Sequence, residues 1–190
     1  MPGRHAGRLA RGGGAGADAV YAGFRDETNA RNFPGLNFSR SEMAEAAAYV
    51  RARGRKLLIA INAYPEAGNL APWRRAVDDA AAIGADAVIL ADVGLMAYAA
   101  DRHPDLRLHL SVQANTVNWA AVLFWQQQGI ERVILSRELA LEEIAQIREK
   151  VPEMELEVFV HGALCMAYSG RCLLSGYINK RDPNQGACTN

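Results

Sequence analysis

The sequence predicts a parallel α/β fold: alternating βα units of an incomplete TIM-like (β/α) barrel. Three observations predict it. Short β-branched apolar runs recur along the chain, helical stretches joined by short connections separate them, and one local pattern repeats. Gly16-Ala17-Asp18-Ala19-Val20-Tyr21 returns as Gly84-Ala85-Asp86-Ala87-Val88-Ile89, and more loosely as Gly129-Ile130-Glu131-Arg132-Val133-Ile134-Leu135. In each copy a glycine stands where a helix stops, a polar residue or two follow, and a buried strand begins.

The elements follow in order. Residues 1–14 are rich in Arg, Gly and Ala without a hydrophobic period and predict a flexible tail. The first copy of the repeat carries the first strand. Ser41 to Arg53, alanine-rich and opening on an N-cap serine, predicts a helix. Lys56 to Asn62 predicts the second strand, and Pro72 to Ile83, with proline near its first turn, the next helix. The second copy of the repeat gives strand three, followed by a helix over Gly94 to Arg102. Arg107 to Gln113 predicts strand four, and Asn118 to Gln128 a helix. The third copy gives strand five, Leu141 to Lys150 a helix, and Glu155 to His161 strand six. No Gly-rich phosphate loop follows an early strand, which favours a barrel over a doubly wound sheet. Six strands do not close an eight-stranded barrel. The expected organisation is therefore a barrel portion over 15–161 and a cysteine-containing segment over 162–190, apparently truncated.

The bulk numbers narrow the function classes. The chain has 190 residues, 50% of them apolar, enough for one domain with a core. Lys plus Arg and Asp plus Glu are 21 each, so no global field draws nucleic acid and any RNA contact rests on a local patch. No run of about 18 apolar residues crosses a membrane. The arginine-bearing start lacks the apolar stretch of a secretory signal, so a cytoplasmic protein is expected. In that compartment cysteines serve as reduced thiols or metal ligands more often than as disulfides.

In a barrel of this kind the site forms at the carboxyl ends of the strands. Polar residues gather there: Arg25, Asn29 and Arg31 after strand one, Asn62 after two, Asp92 after three, Gln113 and Asn115 after four, Ser136, Arg137 and Glu138 after five, His161 after six. Taken singly, each suits a helix cap or a loop tie. Taken together, amides and arginine suit a polar or anionic small molecule. Gln113, Asn115, Arg137 and His161 are the candidates of that mouth.

All three cysteines, Cys165, Cys172 and Cys188, fall in the last 26 residues, among glycines at 162, 170, 176 and 186. Thiolates are soft ligands that suit zinc or an iron–sulfur cluster. No C-x-x-C occurs, which argues against a zinc ribbon. Spacing alone leaves metal ligation and simple burial of the thiols equally open. His161 precedes Cys165 by four residues, as in a Cys–His nucleophile pair, although a loop hydrogen bond is the commoner role for such a histidine. Arg171, Lys180 and Arg181 make a small basic cluster that suits phosphate as well as solvent. Trp119 and Trp125 share one predicted helix and read as packing rather than as base-stacking platforms.

The run Glu157-x-Phe159-x-x-Gly162-Ala163-Leu164-Cys165, then Gly170-x-Cys172-x-x-Ser175, resembles the signature of the U-32 peptidase family, also called collagenase-like proteases. Two subgroups are echoed. The stretch from His109 to Asn115, with Val117-Asn118-Trp119, Phe124-Trp125-Gln126-Gln127, Ile134 to Leu139 and Tyr177 to Gly186, is similar to members that hydroxylate tRNA wobble uridine to 5-hydroxyuridine. The stretch from Asp26 to Phe38 looks more like a ubiquinone-biosynthesis member, an anaerobic hydroxylase subunit that works with a partner protein of the same family. The resemblance implies an oxygen-independent, prephenate-dependent hydroxylation with tRNA as partner. It also implies that Cys165, Cys172 and Cys188 bind a [4Fe–4S] cluster whose fourth ligand lies outside this chain. The alternatives are the quinone-ring hydroxylase subunit and a true peptidase.

Overall fold

The computed structural model describes residues 16–33, 35–161, 167–169, 172–178 and 180. Six strands form one sheet in the order β1-β2-β3-β4-β5-β6, and every neighbouring pair is parallel. They are β1 Ala19–Gly23, β2 Lys56–Ile61, β3 Ala87–Leu90, β4 Arg107–Leu110, β5 Arg132–Ile134 and β6 Glu155–Glu157. The connecting helices are α1 Arg40–Arg51, α2 Ala71–Ile83, α3 Val93–Arg102, α4 Trp119–Gln127 and α5 Leu141–Lys150, with a short α6, Leu173–Ile178, after the last strand. Strands in sequence order with a helix in each crossover curl into part of a barrel, as the alternation predicts.

The repeated glycine behaves as expected. Gly84 closes α2 at φ 77°, ψ 45°, and Gly129 follows α4 at φ 82°, a left-handed backbone that side chains resist. The aspartate of the same repeat ties two strands together, since Asp86 accepts the Leu57 amide of the neighbouring strand at 2.7 Å.

Alternation along the strands builds two apolar layers. Leu57, Ile59, Ile61, Val88, Leu90 and Leu110 face the helices, where Trp73, Met43 and Ile147 are fully buried. Leu58, Ala60, Ile89 and Ile134 line the opposite, concave face. His109 belongs to that second layer, opposite Ile89 and Arg132 in register. At the amino ends of β4 to β6 the same face is charged. Arg107 bonds Glu131 and Glu155, and Arg132 bonds Glu155 and Glu157.

Several element ends differ from the sequence expectation, three of them at caps or strand ends that shape the loops. Helix α1 is capped by Ser39, not Ser41. Ser39 Oγ accepts the Glu42 amide while the Glu42 carboxylate accepts the Ser39 amide, a reciprocal box that fixes the start two residues earlier. Strand β4 stops at Leu110 rather than Gln113, because Ser111 caps a single 3-10 turn over Val112–Ala114. Strand β6 stops at Glu157 rather than His161, although the Leu135 amide still reaches the Glu157 carbonyl at 2.9 Å. The predicted tail over 1–14 lies outside the described residues.

Candidate functional site

The carboxyl ends of all six strands lie on one edge of the sheet, and the loops there divide into two sides. On the β1–β2 side the segment after β1 folds back on the strand end: Phe24 bridges Phe38, and the Phe38 amide bonds the Gly23 carbonyl at 3.1 Å. Buried amides tie this loop. Asn29 Nδ2 donates to Asn37 Oδ1 at 2.8 Å, Asn37 Nδ2 to the Arg31 carbonyl at 2.7 Å, and the Arg31 amide to Asn29 Oδ1 at 3.0 Å. Asn62 joins in, accepting the Ala30 amide at 3.1 Å and donating to Ser111 Oγ at 3.1 Å. Gly23 is required here, since an added Cβ would lie 1.8 Å from Asn29 Nδ2. Arg25 spends its guanidinium on the Asn37 carbonyl and Glu42, and Asp92 caps α3 through the Leu95 amide. These residues hold backbone, the ordinary role of polar groups in loops.

The β4–β6 side is built differently. Gln113 is buried, and its main-chain carbonyl accepts the Tyr64 hydroxyl at 2.9 Å. Asn115 is held at φ 52°, a left-handed conformation that asparagine tolerates, and its Oδ1 accepts the Ser136 hydroxyl at 2.9 Å. Arg137 leaves the end of β5 and spans the gap to the cysteine segment. One guanidinium nitrogen donates to the buried Ser169 hydroxyl at 2.7 Å, and the guanidinium carbon lies 5.2 Å from the centre of the Phe159 ring. Phe159 is 45% exposed and Val160 90% exposed. His161 and Lys180 are exposed, and Lys180 has φ 53°. Cys172, three residues beyond Ser169, is buried. Cys165, Arg171, Arg181 and Cys188 lie outside the described residues.

A cluster or metal must therefore be judged on donor chemistry. Cys172, three residues after Ser169 in the chain, supplies one soft thiol, and among the described residues no three His, Cys, Asp or Glu side chains converge on one point. The thiols fit a sulfur-ligated group; the described carboxylates do not form a competing oxygen site.

Beneath the mouth, His109 is 1% exposed, and neither ring nitrogen finds a hydrogen-bond partner among the described residues. Burial, with Arg132 and Arg107 nearby, pushes its pKa down to about 4, so the ring is neutral at physiological pH.

Sequence reasoning locates Arg137 but does not single out Phe159, Ser169 or Tyr64 as its neighbours or as mouth residues. Phe159 carries a signal. It lies two residues beyond Glu157, which shares the concave face, so strand alternation carries it toward the mouth. Of the two tryptophans expected to pack, Trp125 packs against the core, while Trp119 stays 40% exposed.

The sequence profile described as Peptidase family U32 matches residues 9–190. The tRNA hydroxylation protein P of Escherichia coli (strain K12) is 53% identical over 180 residues, covering 92% of this chain and 38% of its own length. Its Haemophilus influenzae Rd counterpart is 51% identical, with the same coverage. The chain thus spans well under half the length of these relatives. Among solved structures, that of the U32 peptidase Mk0906 aligns with TM-score 0.67 at 20% identity, over 92% of this chain and 72% of that one, a likeness of fold. Among the described residues no helix is long and apolar enough to cross a membrane.

Proposed function

The chain belongs to peptidase family U32, and from that premise we propose that it acts in the oxygen-independent hydroxylation of tRNA wobble uridine to 5-hydroxyuridine. The observation that carries this reading is identity above half, across 92% of the chain, with a protein named for tRNA hydroxylation. Cys165, Cys172 and Cys188 would hold a [4Fe–4S] cluster, with a fourth ligand from outside this chain, and the cluster supplies electron transfer when bound.

The chain's own residues bind and orient. Among the described residues Arg137 donates to Ser169 alone, and with Asn115 and Gln113 it receives the carboxylates of an anionic co-substrate of the prephenate kind. Lys180, with Arg171 and Arg181, meets RNA phosphate, and His161 stands exposed beside the same mouth. Neutral His109 lies with Ile89 and Ile134 beneath the mouth, next to the Arg132–Glu155–Glu157 ion pairs of the same face.

Two measurements test the reading. Protein purified without oxygen is expected to carry iron and sulfide with a visible charge-transfer spectrum, and iron at background level contradicts the cluster. Nucleosides from the tRNA of a strain lacking the gene are expected to lose 5-hydroxyuridine and its derivatives. Unchanged tRNA rejects the reading and returns the quinone-ring and peptidase alternatives.

A further inference from the structure

Phe159 is a half-exposed aromatic ring just beyond β6, and among the described residues its ring contact is the Arg137 guanidinium. Large apolar side chains in a strand-end position are normally covered, yet Phe159 is 45% exposed, with Val158 at 41% and Val160 at 90% beside it. Its environment is organised rather than loose. The Arg137 guanidinium stands over the ring at 5.2 Å, and Arg137 is itself tied to the buried Ser169 at 2.7 Å. A cation over an aromatic ring holds that ring in place. The contact joins three parts of the chain: the end of β5, the continuation of β6 and the segment leading to Cys172. The result is a ring backed by a fixed cation, with nearly half the residue open to solvent.

We propose that Phe159 is the stacking platform for a pyrimidine base at the barrel mouth, with Arg137 as its positioning residue. This rests on the RNA reading above and names the surface that would receive the base. Proteins that act on single-stranded RNA splay bases out and stack them on aromatic side chains, because every base offers a flat π-face whatever its sequence. The free surface of Phe159 provides that face. The cation behind the ring leaves the guanidinium edge for the phosphate or carboxylate that accompanies the base. A base stacked there lies over the side of the mouth that carries Ser169 and, three residues on, Cys172.

The test uses the complete gene product and an anticodon stem–loop RNA carrying 5-iodouridine at the wobble position. Irradiation joins iodouracil to an aromatic ring stacked against it. Mass spectrometry of the joined peptide is expected to place the bond on Phe159. Phe159→Ala is expected to weaken RNA binding roughly five- to 150-fold, the span that loss of one stacking contact produces. Phe159→Trp is expected to restore it, which separates stacking from a folding defect. Arg137→Lys keeps the charge but not the planar fork, and is expected to fall between wild type and Phe159→Ala. A bond to another residue, or Phe159→Ala binding as wild type does, overturns the platform while leaving the RNA reading intact if wild type still hydroxylates tRNA. Failure of wild type to bind the RNA overturns both.

Discussion

The two sides of the barrel mouth engage their side chains differently. On the β1–β2 side, Asn29, Asn37 and Asn62 spend their amides on one another, on loop backbone and on Ser111. On the β4–β6 side, Arg137 makes one hydrogen bond among the described residues, to Ser169, and backs a ring that is half open. A polar or aromatic group whose bonding capacity is consumed in the fold cannot also greet a ligand; one that is fixed but not consumed can. On the proposed reading the first side is structural and the second is the one that recognises a ligand.

The largest expected effect breaks the first side. Gly23→Ala would place a Cβ 1.8 Å from Asn29 Nδ2. Displacing Asn29 costs overpacking strain and its buried hydrogen bonds, together about 4 kcal/mol. Thermal denaturation is expected to show the largest Tm drop of any single variant at the mouth, and a Tm near wild type would show that the amide loop is loose.

The layer beneath both sides gives the next effect. His109 titrates near 6.5 in an unfolded chain and at about 4 here. Its folded pKa is depressed, so the unfolded chain takes up the proton first. The contribution is complete above pH 6.5 and is lost as pH falls toward 4, about 3 kcal/mol in all. Denaturant melts at pH 7 and pH 4.5 are expected to differ accordingly, and His109→Phe to flatten that part of the difference. An unchanged slope in the variant would show that the imidazole finds a partner.

A smaller change sharpens the contrast. Asn37→Ala strands Asn29 Nδ2 and the Arg31 carbonyl, at a cost of about 2 kcal/mol. Urea unfolding is expected to show that loss, while RNA affinity per folded molecule stays at the wild-type value. Weakened affinity in the folded variant would place recognition on the β1–β2 side too.

How much of this is legible in the sequence varies with the kind of signal. The parallel architecture is legible, because a glycine followed by a polar pair and a β-branched run marks helix end and strand start without tertiary information. The α1 cap is also written in the chain, as Ser39 followed three residues later by Glu42, but Ser41 stands closer to the alanine run and draws the helix start to itself. The early ends of β4 and β6 are not legible. Ser111 ends β4 by capping a turn, and apolar residues continue past Glu157 whether or not a partner strand pairs with them. At the mouth, residue type alone places Asn29, Asn62 and Arg137 in one class. Only the hydrogen-bond partners separate the consumed amides from the arginine that backs Phe159.

The most direct test is complementation of a strain lacking the gene, read by mass spectrometry of its tRNA. Wild type and Asn37→Ala at a permissive temperature are expected to restore 5-hydroxyuridine-derived nucleosides. Phe159→Ala and Cys172→Ser are expected to leave them absent or strongly reduced at equal protein level. Restoration by Phe159→Ala and Cys172→Ser, or failure of folded Asn37→Ala, would contradict the division of the mouth into a structural and a recognising side.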